Sequence, residues 1–516
     1  MTLRDGLLCK PYTERIFSNS FETVQREDRL ANSIKSKTLH ALLWSFIESA
    51  GLQGIQYIVG IVLARLLLPE QYGLLGMLTI FIAMAQTFLK SGFGNALIQK
   101  KNADHVDLCS VFYFNIIIGL VAAIVLCLGA PLIAAFYRQP ILTPLMRVLS
   151  LIIVIESFGV IQHTLILKKI DFKTLAKRSF LAIIPSGIIG VTLAATGFGV
   201  WSLVAQQLSN SFFMTVILWW LNKWRPTAVF SLKSLREMFR FGSRILLSGL
   251  LDTIFRNLYF LMIGKLFSAA QLGFYTRARQ LAEGPAQQLT FMVGRVTFPV
   301  FSIIQDDRVQ LKKALQKAMT MLILVNFPLM IGGMVLASPL ILALLTEKWS
   351  PCIPYFRLLC LLGLFFPLPW INMNVLYAIG RSDLALRVNL VQKVLIILNI
   401  IITWRWGIQA IICGQILVSI ISYAFNVYYN GALVGYLIRE QFLDLCRYLA
   451  ASILMGGIVF ALGWIPYYNL WILLVVQIVA GSIIYVIICR FFQFPAFMEF
   501  WQMGLNRIRS QELTKA

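Results

Sequence analysis

Apolar residues run in long blocks along this chain, and short polar stretches punctuate them. The blocks fall near residues 39–64, 73–92, 108–136, 142–167, 175–196, 200–221, 243–267, 273–303, 315–345, 353–379, 384–404, 408–434, 443–463 and 469–489. Each is about 20 residues or longer, enough to cross a bilayer as an α-helix. The pattern predicts an all-α, polytopic membrane protein with about 14 transmembrane spans. Polar connections are short, the longest covering 222–241, so no soluble domain is inserted. Residues 1–37 are polar and lack an early apolar stretch. They read as a cytoplasmic tail rather than a cleavable signal peptide.

Two of the blocks end alike. ARLLLPEQYGLL (64–75) and GKLFSAAQLGFY (264–275) lie 200 positions apart. In each, a small residue and a cation close the span (Ala64-Arg65, Gly264-Lys265). Gln71/Gln271 and Gly73/Gly273 follow at matched places. An even number of spans separates the first from the seventh, so both copies enter the membrane in the same direction. The repeats are therefore parallel, a transporter arrangement. Weaker echoes agree: TGFGVWSLV (196–204) with WRWGIQAII (404–412), and LKKIDF (167–172) with IGRSDL (379–384). The expected organisation is a cytoplasmic tail (1–37), an N-lobe of six spans (38–222) and a cytoplasmic linker (223–242). A C-lobe of six spans (243–434), two further spans (435–492) and a cytoplasmic C-terminal tail (493–516) follow.

Composition fits this class. The chain is 59% hydrophobic and 13% charged, against about 45–50% and about 25% in soluble domains. A net charge of +23 in a soluble protein would suggest nucleic acid. Here the cations collect in alternate connections, such as Lys168, Lys169, Lys173, Lys177 and Arg178, then Arg308, Lys312, Lys313 and Lys317. By the positive-inside rule these are cytoplasmic, both termini with them, and no nucleic-acid partner is expected. The eight cysteines form no CxxC, and His40, His105 and His163 stand apart. No metal site is expected. No GxxxxGK[ST], HExxH or GxSxG occurs, which speaks against an ATP-driven engine and against the common hydrolases. Asp306-Asp307 sits beside Arg308 and reads as a helix cap.

The run SKTLHALLWSFIESAGLQGIQYIVGIVLARLLLPEQYGLLGM resembles the start of bacterial polysaccharide and oligosaccharide flippases. SGFGNALIQKK, FGVWSLV, FRFGSRILLSGLLD, LGFYTRARQL and FPVFSIIQDD continue the resemblance from about Ser33 onward. These flippases belong to the multidrug/oligosaccharidyl-lipid/polysaccharide (MOP) exporter superfamily; the similarity is to its Wzx-type, colanic-acid-exporter-like branch. The resemblance implies two six-helix lobes in a V around a central cavity, with the two last helices bordering a groove for a lipid tail. It implies a substrate too: an oligosaccharide repeat unit on undecaprenyl pyrophosphate, moved across the bacterial inner membrane by alternating access to build O-antigen, capsule or exopolysaccharide. Membrane lipids, and a polysaccharide polymerase with its chain-length machinery, are the implied partners. The alternative is a multidrug extruder of the same superfamily. Neither is an enzyme or needs a cofactor beyond coupling to a proton or sodium gradient.

Charges inside the apolar spans point to the path. A charge at the bilayer centre costs about 2.5–3.5 kcal/mol on insertion scales, so it faces partners or water. A pyrophosphate needs cations that survive burial, and arginine offers a planar fork. Arg256, Arg295, Lys90 and Arg279 are the head-group candidates. Asp252–Arg256 and Arg279–Glu283 are spaced i,i+4, so a plain ion pair along one helix competes with that role. Arg277 and Arg279 also lie near a span end, where snorkelling would explain them. Glu48 has no cation within a turn and, with Asp252 and Glu283, is a candidate for ion coupling. Gln53, Gln56, Asn115, Asn372 and Asn374 are candidate sugar contacts.

Overall fold

The computed structural model describes residues 51–502 apart from 92–93, 95–96, 98–99, 101–103, 170, 466–468 and 500. Among them there is no strand. The helices are α1 (Gly51–Leu66), α2 (Pro69–Ser91), α3 (His105–Tyr137), α4 (Leu142–Lys168), α5 (Phe172–Ala195), α6 (Val200–Leu221), α7 (Leu232–Leu266) and α8 (Ala269–Ile303). Then come α9 (Arg308–Val335), α10 (Ala337–Leu345), α11 (Cys352–Phe365), α12 (Pro367–Ala378), α13 (Ser382–Thr403), α14 (Gly407–Val434), α15 (Ile438–Leu462) and α16 (Leu470–Phe491). Ten segments among the described residues are long and apolar enough to cross a membrane. The protein is a multi-pass, all-α membrane protein.

The first eight expected spans each give one helix. The ninth and tenth are each broken: Leu336 separates α9 from α10, and Phe366 separates α11 from α12. The second break is written in the chain, because Pro367 and Pro369 cannot donate backbone hydrogen bonds to the preceding turn. The expected linker also turns helical early. α7 starts at Leu232, where Ser231 Oγ accepts from Ser234 N, and continues into the membrane-length stretch Ile245–Leu266. Asp307 caps α9, its Oδ1 accepting from Val309 N and Gln310 N at 3.0 Å each.

The echoed motifs form matched turns. Gln71 Oε1 accepts from Leu68 N at 3.0 Å, and Gln271 Oε1 accepts from Ser268 N at 3.3 Å. Each glutamine thus closes the first turn of its helix, satisfying a donor left over at the N-terminus. The glycines of the second echo, Gly199 and Gly407, begin α6 and α14 at φ +56° and +89°. Few other residues adopt that conformation cheaply.

The core is continuous at one end and divided at the other. One cluster joins Leu63, Tyr72, Met77, Tyr137 and Leu145 of the first half to Ile263, Leu272, Ile341 and Trp349 of the second. It centres on the end where α1 meets α2 and α7 meets α8, termed here the joined end, and Ala85 and Leu89 carry it further along α2. Toward the opposite, lysine-rich end the clusters separate. One, all C-terminal, runs from Leu336, Ala343 and Leu474 near the joined end to Phe301, Leu311 and Leu315 at the lysine-rich end. Another gathers Leu97, Val111, Phe112 and Ile161 of the first half with Leu235 and Met238 from the start of α7.

Candidate functional site

The joined end is held by a reciprocal pair of clamps. Arg65, at the end of α1, donates from Nε to Leu344 O at 2.8 Å and from Nη2 to Ala343 O. Lys265, at the end of α7, donates from Nζ to Phe136 O and sits 4.3 Å over the Phe136 ring. α10 completes the ninth span and α3 is the third, so each lobe's first span grips the third span of the other. The acceptors are carbonyls at helix C-termini, which lack partners within their helix and carry the negative end of its dipole. Trp349 Nε1 donates to Ala64 O at 2.8 Å, and Lys348 Nζ to Arg65 O at 2.6 Å. Partial burial lowers the Lys348 ammonium below the ordinary lysine value.

Beneath the clamps the backbones of α2 and α8 touch. A Cβ on Gly73 would lie 1.7 Å from Ala269 O, and a Cβ on Gly273 would lie 1.8 Å from Pro69 O. Positions 69 and 269, and 73 and 273, thus exchange contacts across a pseudo-twofold axis. Only glycine allows this approach, which is why the motif keeps it in both copies.

A polar layer follows. Arg277 of α8 is 3% exposed. It donates to Gly60 O of α1 and to Gln280 Oε1, and its guanidinium lies 4.9 Å over the Tyr72 ring of α2. Arg277 therefore ties α8 to two helices of the other lobe rather than snorkelling. One turn further, Tyr57 OH donates to Gln280 O at 3.2 Å. A Cβ on Gly284 would lie 2.1 Å from that hydroxyl.

The predicted residues distribute unevenly around this joint. Arg279 turns into the C-lobe: Nε donates to Glu283 Oε2 at 2.9 Å and Nη1 to Tyr275 OH at 3.3 Å. Gln287 Nε2 also donates to Glu283 Oε2. Glu283 is thus paired within its own helix. Asp252 does not meet Arg256; it pairs with Lys393 of α13 at 2.8 Å. Arg256 is exposed, one turn from Phe260, whose ring carries the Arg279 guanidinium at 5.1 Å. Gln53 is half-buried beside Gly284, and Gln56 is exposed. Asn115 is buried in the N-lobe without a partner for Nδ2. Asn372 is consumed structurally, donating to Leu368 O and accepting from Asn430. Glu48 and the Lys90 side chain lie outside the described residues.

Each lobe also holds a cavity. The C-lobe cavity, about 410 Å³, lies between α8 and α12 and includes Arg295 and Asn374 among its walls. The N-lobe cavity, about 500 Å³, lies among α4, α5 and α6 and includes Glu156, His163, Arg178 and Asn210. His163 Nδ1 and Arg178 Nη1 are 3.1 Å apart there, and Gln86 Nε2 donates to Glu156 Oε1 at 3.0 Å. No group of metal-binding side chains occurs among the described residues.

Residues 62–354 match the family described as polysaccharide biosynthesis protein. The chain belongs to that family. Among curated relatives, the lipopolysaccharide biosynthesis protein WzxC of Escherichia coli K12 is 29% identical over 397 residues. That alignment covers 76% of this chain and 80% of WzxC. The teichuronic acid biosynthesis protein TuaB of Bacillus subtilis 168 is 29% identical over 357 residues, 68% of this chain and 74% of TuaB. In fold, the chain is similar to the lipid II flippase MurJ in an inward closed conformation. The TM-score is 0.73 at 15% identity, covering 87% of this chain and 98% of MurJ. The chain therefore shares the fold of that flippase.

Trp349, Lys393 and the Glu156–His163–Arg178 group were not singled out by the sequence as site residues. Trp349 was legible only as an interfacial anchor, since its acceptor is a backbone carbonyl. Lys393 was visible as a cation within an apolar span, the same signal that singled out Asp252.

Proposed function

We propose that this chain is a transporter, not an enzyme, that flips undecaprenyl-pyrophosphate-linked oligosaccharide repeat units across the bacterial inner membrane for surface polysaccharide assembly. The observation that carries the reading is the divided core. The halves share a large apolar cluster toward the joined end, while toward the other the C-terminal half keeps a core of its own and only the start of α7 packs on the N-terminal half. That geometry suits alternating access, in which two lobes rock about their joint. The joint itself suits release, because cation-to-carbonyl clamps can exchange protein acceptors for water. The positive-inside rule supports a cytoplasmic lysine-rich end, and on this reading the joined end faces outward and the state is inward-facing. The names of WzxC and TuaB, and the fold shared with a lipid II flippase, support a lipid-linked saccharide as cargo.

Deletion in the native host tests the reading. Loss of surface polysaccharide, with lipid-linked repeat units trapped facing the cytoplasm, is the expected outcome. Unchanged glycan with raised drug sensitivity would instead establish a multidrug extruder.

A further inference from the structure

The C-lobe cavity is built differently from a lipid groove. α8 presents Gln288, Phe291 and Arg295 to it at i, i+3 and i+7, which is one helical face. α12 presents Trp370 and Asn374 at i and i+4, again one face. The break at Phe366 and Pro367 starts α12 afresh and so sets the direction of that face. Phe291 and Trp370 meet edge to face, centroids 6.0 Å apart at 89°. The indole reaches its place only because residue 294 is glycine: a Cβ there would lie 1.8 Å from Trp370 Cη2. Asn374 is 9% exposed, and its Nδ2 has no partner. Arg295 stands exposed beside it.

We propose that this cavity is a saccharide subsite, seating one pyranose ring of the carried glycan with an anionic substituent against Arg295. The proposal rests on the flippase reading and names the part of the substrate that the C-lobe holds. A pyranose has a face of C–H bonds, which matches the electron-rich face of an aromatic ring, and a rim of hydroxyls. A hydroxyl would accept from Asn374 Nδ2, a donor whose burial without a partner costs about 1–3 kcal/mol. An acyl chain would leave that donor unmet. Gln288 offers a second amide. The volume lies in the range of small-molecule sites, which are mostly apolar with a few placed polar groups. The anion at Arg295 is a carboxylate of the sugar or a phosphate of the carrier; both suit a guanidinium fork.

Binding to the purified full-length chain in detergent tests this, with glucose, glucuronate and glucose 1-phosphate as probes and undecaprenyl phosphate as a separate ligand. Glucose is expected to bind weakly and an anionic probe about tenfold tighter. A preference for glucuronate assigns the sugar's own carboxylate; a preference for glucose 1-phosphate assigns the carrier's phosphate. Trp370→Leu and Asn374→Leu should each weaken all three sugars at least tenfold, while Trp370→Tyr keeps them. Gly294→Ala should reproduce the Trp370→Leu loss by displacing the indole. Arg295→Gln should remove only the anionic advantage. Undecaprenyl phosphate binding by every variant shows that each is folded. The proposal is overturned if Trp370→Leu and Asn374→Leu bind sugars as the parent does, or if undecaprenyl phosphate binds and no sugar does. A parent chain that binds sugars at this cavity but not undecaprenyl phosphate would sink the flippase reading and leave the subsite standing.

Discussion

The two clamps at the joined end occupy equivalent places in the two halves and use different chemistry. Arg65 takes two carbonyls of α10 with one fork. Its guanidinium also lies 5.8 Å over the Trp471 ring of α16. Lys265 takes one carbonyl of α3 and rests on Phe136. Position and partner span survived the duplication, whereas the number of bonds did not. The clamp on α10 also reaches one of the two spans outside the repeat. The joint is symmetric in geometry and weighted toward one side in energy, so opening should begin at the Lys265 side.

The largest effect should come from the symmetric element beneath both clamps. Gly73→Ala sets a Cβ against Ala269 O at a distance no real Cβ tolerates, and the obstacle is backbone, which cannot rotate away. Overpacking costs about 1–3 kcal/mol, occasionally more. The closed population at the joined end should fall by about 100-fold, and transport should fail. Spin labels at Thr196 and Trp406, both exposed at this end on opposite halves, would read the separation. Gly273→Ala should match it. A large difference between the two glycines would break the symmetry argued here.

The clamps come next, and they test the asymmetry. Arg65→Met loses two charge-assisted bonds and should cost about 2 kcal/mol, about 30-fold in closed population, after allowance for solvent at this surface. Lys265→Met loses one and should cost about 1 kcal/mol, about fivefold. Exchange sharpens the comparison: Lys265→Arg should be tolerated, while Arg65→Lys should show a loss close to that of Lys265→Met. Equal losses for the two methionine variants would remove the idea that opening starts at one side. Trp349→Phe, which leaves Ala64 O without its 2.8 Å donor, should fall near the smaller value.

What was legible beforehand follows from the kind of partner each residue has. Spans, the parallel repeat and the matched Gln and Gly positions stood in the sequence, because lipid enforces apolar length and a close backbone approach enforces glycine. The clamp acceptors did not, since any residue supplies a carbonyl and no side chain marks Phe136 or Leu344. Arg277 was misleading for a related reason. Its position near a span end suggests a water-seeking side chain, but Gly60, Tyr72 and Gln280 gather around it from 217, 205 and 3 residues away. Asp252 was recognised as a buried-span charge, yet its partner Lys393 lies on a helix 141 positions later. The nearer Arg256, which spacing favoured, stays apart. Local spacing finds pairs along one helix; the pairs that join helices need the fold.

The smallest effect concerns a hydroxyl pair that joins the halves deeper along α2 and α7. Thr87 Oγ1 and Thr253 Oγ1 lie 2.8 Å apart, well beyond the clamps toward the lysine-rich end. The pair holds α2 to α7 at that level in this state, and it must slide or break when the lobes rock. A side-chain hydrogen bond between membrane helices contributes about 0.6 kcal/mol on average. In a double-mutant cycle with Thr87→Val and Thr253→Val, the coupling should therefore be about 0.6 kcal/mol, and it should favour the closed joined end by about threefold. Valine conserves shape, so packing of α2 on α7 is retained and the cycle isolates the bond. Additivity of the two substitutions would mean that the pair is bystander geometry, and that the clamps and glycines alone set the equilibrium between the two halves.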